Sequence, residues 1–335
     1  MLIFSKKNWI TKQLGELSTL RRELVNPSEI KGGEQMVGLE HINGEDGSVT
    51  SVPALEANIK STKARFCSGD ILYGKLRPYL RKITIPSFDG LCSTDILALR
   101  VNKKLADKRY LFHFLRQQGI VDFATDRSAG VNLPRLSPSV LLEIPIHMPE
   151  DVRDQTAIAD ILDMADRIQA KRHQAFNLAD ELLRSIFLDM FGDPATNAKC
   201  WPIKVLGDVI SGFESGKNVN PASSEIDGGP YRVLKVSAVT WGDYQPKESK
   251  PLPQDYFPPD HHLVKVGDLL FSRANTVELI GATTFVFSTP PNHALPDKIW
   301  KFKWLDPSPV DPLFLWSLFQ TTSVRKEIGR RATGT

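Results

Sequence analysis

The 335 residues of this chain suffice for two domains of ordinary size and a connecting segment, and its hydrophobic (41%) and charged (24%) shares are typical of a folded protein. No apolar run approaches the ~18 to 20 residues that span a bilayer, and the first residues lack the order of a signal peptide. We therefore expect a cytoplasmic protein with no membrane partner. The net charge of +3 permits an anionic partner without requiring one.

The first part of the chain reads as short strands and turns. Residues 35 to 42 alternate apolar and polar side chains, and a Gly69-Asp70 turn precedes the apolar run Ile71-Leu72. A helix is predicted from Asp107 to Phe123, because its apolar residues fall on one face. We assign residues 1–150 to a first, β-rich domain.

A basic loop follows the apolar run that starts at Ile71. The ten residues from 73 to 82 hold four cations and two tyrosines. Lysine and arginine contact phosphates, arginine reads guanine, and tyrosine packs on sugars or bases. The candidate DNA-binding residues of this loop are Lys75, Arg77, Tyr79, Arg81 and Lys82. A solvated hairpin is the alternative that such a basic stretch leaves open.

A long helix is predicted next, over Asp151 to Met190 within a spacer of residues 151–192. Apolar or small residues recur there at steps of three, four or seven, which is a heptad-like stripe. About forty residues at ~1.5 Å each give a rod of roughly 60 Å, too long to bury its stripe on one small domain. The predicted partner-helix seam comprises Ile158, Leu162, Ala165, Ile168, Leu182 and Ile186.

The rest of the chain repeats the first part. Trp9 and Gly15 return as Trp201 and Gly207, and the Gly-Asp turn returns as Gly267-Asp268. A second helix is predicted from Asp311 to Ile328. We assign residues 193–335 to a second domain of the same fold.

The loop that matches the basic loop keeps polar donors but changes their identity, as expected if two equivalent loops read different bases. Its candidate DNA-binding residues are Arg273, Asn275 and Thr276. After Gly334 only Thr335 remains, so we expect the second domain to be incomplete at its C-terminus and to lack a second long helix.

Motifs of catalysis and metal binding are missing from the sequence. The chain has no nucleophile elbow, no zinc-protease motif and no phosphate-binding glycine loop. Its three cysteines, Cys67, Cys92 and Cys200, stand singly, which argues against a zinc site and against a disulfide framework. We predict no catalytic residue and no metal ligand.

Taken in order, the motifs resemble those of the specificity (S) subunit of a type I restriction-modification enzyme, over essentially the whole chain. The carriers are the Trp-x4-Leu-Gly start of each repeat, the Gly-Asp-Ile/Leu-Leu motif with its polar loop, the Ser128-Ala129-Gly130 segment leading to Ile144-Pro145, and Asp154-Gln155 at the start of the long helix. Each motif alone is weak, and their order makes them specific.

The resemblance implies an α+β fold of two tandem β-rich target-recognition domains joined by a long coiled-coil-forming helix. In that family each domain reads one half of a split site in double-stranded DNA, and the helices dock modification (methyltransferase) subunits. Those subunits carry S-adenosylmethionine, so this chain would hold no cofactor and no catalytic residue. A restriction subunit joins the full complex. With the second helix missing, we also expect possible self-association through the first.

Two other functions remain open. A tandem protein-interaction scaffold, without sequence-specific DNA binding, is slightly favoured by the low net charge and disfavoured by loops that differ at matched positions. An unrecognised enzyme is the second. The steep salt dependence of phosphate contacts separates DNA binding from the scaffold.

Overall fold

The computed structural model describes residues 8–57, 59–130, 132–220, 228–274, 276 and 279–332. The chain divides into two compact units, Met1–His173 and Gln174–Thr335. Among the helices in these ranges, none is both long enough and apolar enough to cross a bilayer.

The strands of the first unit are short, as expected where turns recur every few residues. They are β1 (Trp9–Gln13), β2 (Ser18–Leu20), β3 (Leu24–Val25), β4 (Gln35–Val37), β5 (Val52–Pro53), β6 (Lys63–Phe66), β7 (Ile71–Gly74), β8 (Ile83–Thr84), β9 (Gly90–Cys92), β10 (Ile96–Val101) and β11 (Pro145–Pro149). The helices that accompany them are α1 (Leu14–Leu17), α2 (Lys108–Leu115), α3 (Gln118–Asp126) and α4 (Pro138–Leu142).

Two larger sheets organise the first unit. One has the order β2-β10-β7-β8, and the other has the order β3-β6-β9-β4-β5. Strand β1 pairs with β11 in a separate antiparallel ladder, which ties the start of the unit to its end. The main core lies between the first sheet and helices α1 to α4, where Leu14, Leu111 and Leu141 are fully buried.

The second unit contains β12 (Ile210–Ser215), β13 (Gly228–Leu234), β14 (Ser249–Pro253), β15 (Leu269–Ser272), β16 (Thr283–Phe285), β17 (His293–Ala294) and β18 (Ile299–Trp304). Its helices are α6 (Pro312–Gln320) and α7 (Thr322–Arg331).

The sheets confirm the duplication that the sequence predicts. The order β12-β18-β15-β16 repeats β2-β10-β7-β8, with every neighbouring pair antiparallel in both. The parallel pair of β13 with β17 repeats the parallel pair of β4 with β9. Strands β7 and β15 therefore occupy the same position, and so do β10 and β18.

Both predicted domain helices are divided in two. Gln117 is extended between α2 and α3, and Thr321 is extended between α6 and α7. Each break turns the chain, so that residues of both segments pack on one cluster, as Leu111 and Ala124 do in the first unit. Periodicity does not report such a break, because both segments keep an apolar face.

Helix α5 (Val152–Phe191) has 40 residues and lies between the two β-rich regions in the sequence. The predicted α+β class, with a long helix between β-rich parts, is therefore confirmed.

Candidate nucleic-acid interface

A rigid turn forms the basic loop at the end of β7. Residues Pro78–Leu80 make one turn of 3-10 helix, and the arginines on either side, Arg77 and Arg81, are both left-handed with φ of 51°. Such a backbone costs a residue other than glycine on the order of 1–3 kcal/mol, and it persists only where the surroundings fix it. Pro78 is buried, whereas Tyr79 is 49% exposed. The turn therefore presents the tyrosine on a fixed support.

The loop cations divide into two kinds. The Lys82 amine donates to the Ile42 carbonyl at 2.6 Å, and the Arg81 guanidinium donates to the Gln118 side chain. These two hold the turn against the body of the unit. Arg77 is exposed, and among the described residues its guanidinium makes one long contact, with the Asn132 carbonyl at 3.5 Å. Arg77 and Tyr79 are therefore the polar side chains of this turn that are exposed to a ligand, beside the exposed Leu80.

Two further cations share one carboxylate beside the turn. Asp95 lies 3.8 Å from the Lys75 amine and 3.2 Å from the Arg135 guanidinium. The backbone of Arg135 bridges both Leu76 and Ala129, which places it next to the basic loop. Sequence reasoning missed Arg135, although it follows the Ser128-Ala129-Gly130 motif closely. The local charge is positive, since Asp95 offsets one of the two cations.

The neighbouring loop is fixed by a half-buried arginine. Arg116 donates to the carbonyls of Glu45 at 2.5 Å and Gly44 at 3.3 Å, and its guanidinium lies over the Phe112 ring. Burial lowers the pKa of Arg116, which nevertheless remains charged because arginine ordinarily titrates above 12. The loop around Gly44 is thus held beside the turn.

The matched loop of the second unit starts at Arg273, directly after β15. Arg273 is exposed, and its guanidinium lies 5.7 Å from the centre of the Trp300 ring. Thr276 is exposed as well, and its carbonyl accepts from the amides of Leu279 and Ile280. Asn275 lies outside the described residues. The structure therefore places Arg273 and Thr276 at the strand end that carries the basic loop in the first unit.

Buried ion pairs anchor the Gly-Asp turns at the opposite end of the same strands. In the first unit Arg21 donates to Asp70 at 2.5 Å, and this hydrogen bond raises the pKa of Arg21. In the second unit Lys301 lies 3.7 Å from Asp268 and 3.5 Å from Glu214. Burial raises the pKa of Asp268. The cation that pairs with the turn thus comes from a different place in each unit, directly after β2 in the first and from β18 in the second. Repeated motifs in the sequence do not reveal this difference.

The first turns of α5 are attached to the first unit. Gln155 is fully buried, donates to the Pro149 carbonyl at 2.8 Å and accepts from the Asp107 amide at 2.9 Å. Asp163 accepts from Arg109 at 2.9 Å and lies 2.7 Å from the His113 ring. Burial would raise the pKa of Asp163, but these two partners hold it below its ordinary value.

The remaining turns of α5 leave their apolar side chains in solvent. Of the predicted seam, Ile158 packs on the core of the first unit instead, because it lies beside the buried Ala159 in the attached turns. The other five are exposed, by 36% at Leu162, 48% at Ile168, 59% at Leu182 and 45% at Ile186, with Ala165 among them. Phe176 and Leu183 are also exposed. The helix then ends in an aromatic contact of Phe187 and Phe191 with Phe314.

One protein family matches this chain over about half of its length. The family is the type I restriction modification DNA specificity domain, and the match covers residues 6–177. The chain belongs to this family. Membership confirms the resemblance drawn from the motifs, and a family defined by DNA specificity agrees with the prediction of a non-catalytic chain.

A sequence relative points the same way. The type I restriction enzyme EcoDI specificity subunit of Escherichia coli is 28% identical over 188 residues, which make up 55% of this chain and 41% of that subunit. The aligned part is therefore less than half of the relative.

Two solved structures share the fold. A chain from a study of complex assembly and conformational transition of the type I R-M system is 19% identical, with a TM-score of 0.52 over 96% of this chain and 81% of that one. The S subunit of a type I restriction-modification system from M. genitalium is 13% identical, with a TM-score of 0.54 over 98% of this chain and 81% of that one. At these identities the likeness shows the fold alone.

Within the described ranges, no group of His, Cys, Asp and Glu side chains is arranged to hold a metal ion. Burial raises the pKa of the Cys92 thiol to about 12, so this cysteine stays protonated at neutral pH.

Proposed function

We propose that this specificity-family chain reads a bipartite sequence in double-stranded DNA, one part with each β-rich unit. The observation that carries the proposal is a repeated framework with different loops. Strands β7 and β15 occupy the same place in sheets of the same order, yet one is followed by Arg77 and Tyr79 and the other by Arg273 and Thr276. Equivalent positions with different hydrogen-bonding groups suit the reading of different bases.

In the first unit, Arg77 and Tyr79 are assigned to base contact. Both are exposed at a turn whose backbone is held by Arg81 and Lys82 from within. An arginine presented on a fixed support loses little freedom when it binds a guanine edge with two hydrogen bonds. Lys75 and Arg135, which share Asp95, are assigned to phosphates.

The base-reading assignment is tested by methylome sequencing of a host that carries the chain and its modification subunit. Arg77→Gln should relax one half of the methylated motif, and Arg273→Gln should relax only the other half. Arg153→Gln is the control, because Arg153 is an exposed arginine paired with Asp151 at the start of α5. If either loop variant alters both halves, or neither does, two independent readers are excluded.

The phosphate assignment is tested by the salt dependence of duplex binding. Each phosphate contact contributes about 0.9 to the slope of log K against log salt. Arg135→Gln combined with Lys75→Gln should therefore flatten the slope by about 1 to 2 without changing the recognised motif. An unchanged slope would contradict the assignment.

In this proposal the exposed stripe of α5 is the docking surface for a modification (methyltransferase) subunit. Each side chain such as Leu182 is worth roughly 1.5–3 kcal/mol when fully buried, so several of them in water favour a partner helix. In this proposal S-adenosylmethionine binds the methyltransferase, and a restriction subunit joins the larger complex. Without a methyltransferase, the stripe would drive self-association.

Sedimentation with and without the methyltransferase subunit tests the docking. Leu162→Asp with Leu182→Asp should abolish association, because it places charges on the stripe. The matched control is Gln174→Asp with Asn177→Asp, two exposed positions on the opposite face of the same helix. The assignment would be refuted if the chain sediments as a monomer both with and without the methyltransferase subunit, and if the stripe substitutions do not change this.

A protein-interaction scaffold is the second candidate, and the exposed stripe is the observation that favours it. It predicts partner binding through α5 with no steep salt dependence for duplex DNA.

A further inference from the structure

A basic cleft lies in the first unit at the end of the sheet opposite the basic loop. It has a volume of about 670 Å³, and its floor is the Arg21–Asp70 ion pair. Its cationic rim is formed by Arg100, Lys103, Lys104 and Lys108. Glu16 is the other carboxylate in the lining, so the cleft carries a clear excess of positive charge.

The rim cations are not used by the fold. Across the described part of the chain, none of the four has a carboxylate within ion-pair distance, whereas Arg21 is committed to Asp70. Lys108 is the first residue of α2, directly after the N-cap Asp107. A cation at a helix N-terminus is unfavourable for the helix, because the backbone amides there already carry partial positive charge. Cations gathered at this position suit an anionic ligand.

The second unit lacks the same rim. Lys303 occupies the place of Arg100 on the matched strand, but Pro312 follows the N-cap Asp311 where Lys108 follows Asp107. The loop between strand and helix there carries Asp306 and Pro307 in place of the two lysines. The framework is the same in both units, so the fold does not require these lysines.

We propose that this cleft is a phosphate-backbone tether for duplex DNA, present in the first unit alone and separate from base reading. The inference rests on the proposed DNA-reading function. Strand β10 runs from beside the basic loop to the cleft, and its five residue steps span roughly 17 Å. A duplex lying along the strand would bring to the cleft phosphates about 5 base pairs from the bases read by the loop, at ~3.4 Å for each step.

A tether of this kind adds affinity without sequence preference. Lysines on flexible stems act as point charges towards phosphates, whereas fixed arginines recognise base edges. The cleft would therefore contribute equally to the target and to a scrambled duplex, and its contribution would disappear at high salt.

The experiment measures binding of the full chain, with its methyltransferase subunit, to two duplexes between 50 and 200 mM salt. One duplex carries the motif found by methylome sequencing, and the other is scrambled. The variant is Lys103→Gln, Lys104→Gln and Lys108→Gln together. Its salt slope should fall by about 2.7, so that wild type and variant diverge by roughly 40-fold across this range, equally for both duplexes.

The matched control removes three exposed lysines of the same unit that lie outside the cleft, with Lys31→Gln, Lys60→Gln and Lys171→Gln. It should leave the slope near that of the wild type. Ethylation of certain phosphates outside the half-site should weaken binding of the wild type and of the control. Ethylation of the same phosphates should have no effect on binding of the cleft variant.

Three results would overturn the tether. The cleft variant could keep the wild-type slope, or the control could flatten it equally, which would mean general electrostatics. The variant could instead lose the methyltransferase subunit at an unchanged slope, which would assign the cleft to an acidic protein surface. A wild-type chain that shows no salt-dependent duplex binding would refute the proposed function itself, a result distinct from the other three.

Discussion

The ion network of the second unit offers a sharp test of how the Gly-Asp turn is held. Lys301 is 7% exposed, and its amine donates to the carbonyls of His261 and Leu263 while lying between Asp268 and Glu214. Lys301→Ala introduces the residue that the first unit has at the matched position, Ala98. It leaves the carboxylate of Asp268 without its cation, whereas Glu214 keeps the Lys303 amine at 3.8 Å.

The structure sets the size of the effect. Removing one partner of a buried ion pair typically costs about 3–5 kcal/mol, because the remaining charge stays desolvated. Glu214→Arg, added to Lys301→Ala, rebuilds the arrangement of the first unit, where Arg21 lies opposite Ala98 directly after β2 and pairs with Asp70. The double variant should recover about 1.5–3 kcal/mol of the lost free energy of unfolding, which is the typical contribution of a hydrogen bond to a charged group.

Urea unfolding followed by tryptophan fluorescence measures both changes, because all but one of the six tryptophans lie in the second unit. The deficit of Lys301→Ala should shrink near pH 4, since Asp268, whose pKa is raised, takes up a proton in the folded state more readily than in the unfolded state. Two results would refute this reasoning. One is a loss below about 1 kcal/mol in the free energy of unfolding of Lys301→Ala, and the other is a further loss of stability when Glu214→Arg is added.

Three further predictions concern the first unit. Gln155→Leu should destabilise it by about 1–3 kcal/mol, because the Pro149 carbonyl and the Asp107 amide lose their partner, whereas the same change at the exposed Gln169 should cost little; thermal unfolding followed by circular dichroism checks both. Asp163→Asn should flatten the acid limb of the stability curve, since a lowered pKa gives stability that is present above the ordinary value of ~3.9 and is lost as the pH falls through the folded value; urea midpoints between pH 2 and 7 would show no difference if the pair is inert. Arg77→Gly should raise the melting temperature by relieving the left-handed backbone, yet weaken binding to the target duplex, and a gain in both would contradict the base-reading role.

Much of the framework could be predicted because it depends on short sequence patterns. The Gly-Asp turn, the apolar strand after it and the heptad-like stripe each depend on neighbours in the sequence, and both units show the predicted β-rich character. The breaks at Gln117 and Thr321 escaped prediction, since apolar periodicity continues through them. The site residues stay predictions, although the structure separates those that hold the turn, Arg81 and Lys82, from those that remain accessible.

The sequence by itself determined the duplication, the long helix and the family, because repeated motifs and apolar spacing survive without any knowledge of distant contacts. Only the tertiary structure decided which cations are held by hydrogen bonds within the fold and which are exposed. Lys82 and Arg77 look alike in the sequence, yet the Lys82 amine donates to the Ile42 carbonyl at 2.6 Å, whereas Arg77 is exposed and has one long contact, with the Asn132 carbonyl at 3.5 Å. The same holds for the basic cleft, whose members come from a strand, a loop and a helix start. Charge acts through distance in space, and folding alone fixes that distance.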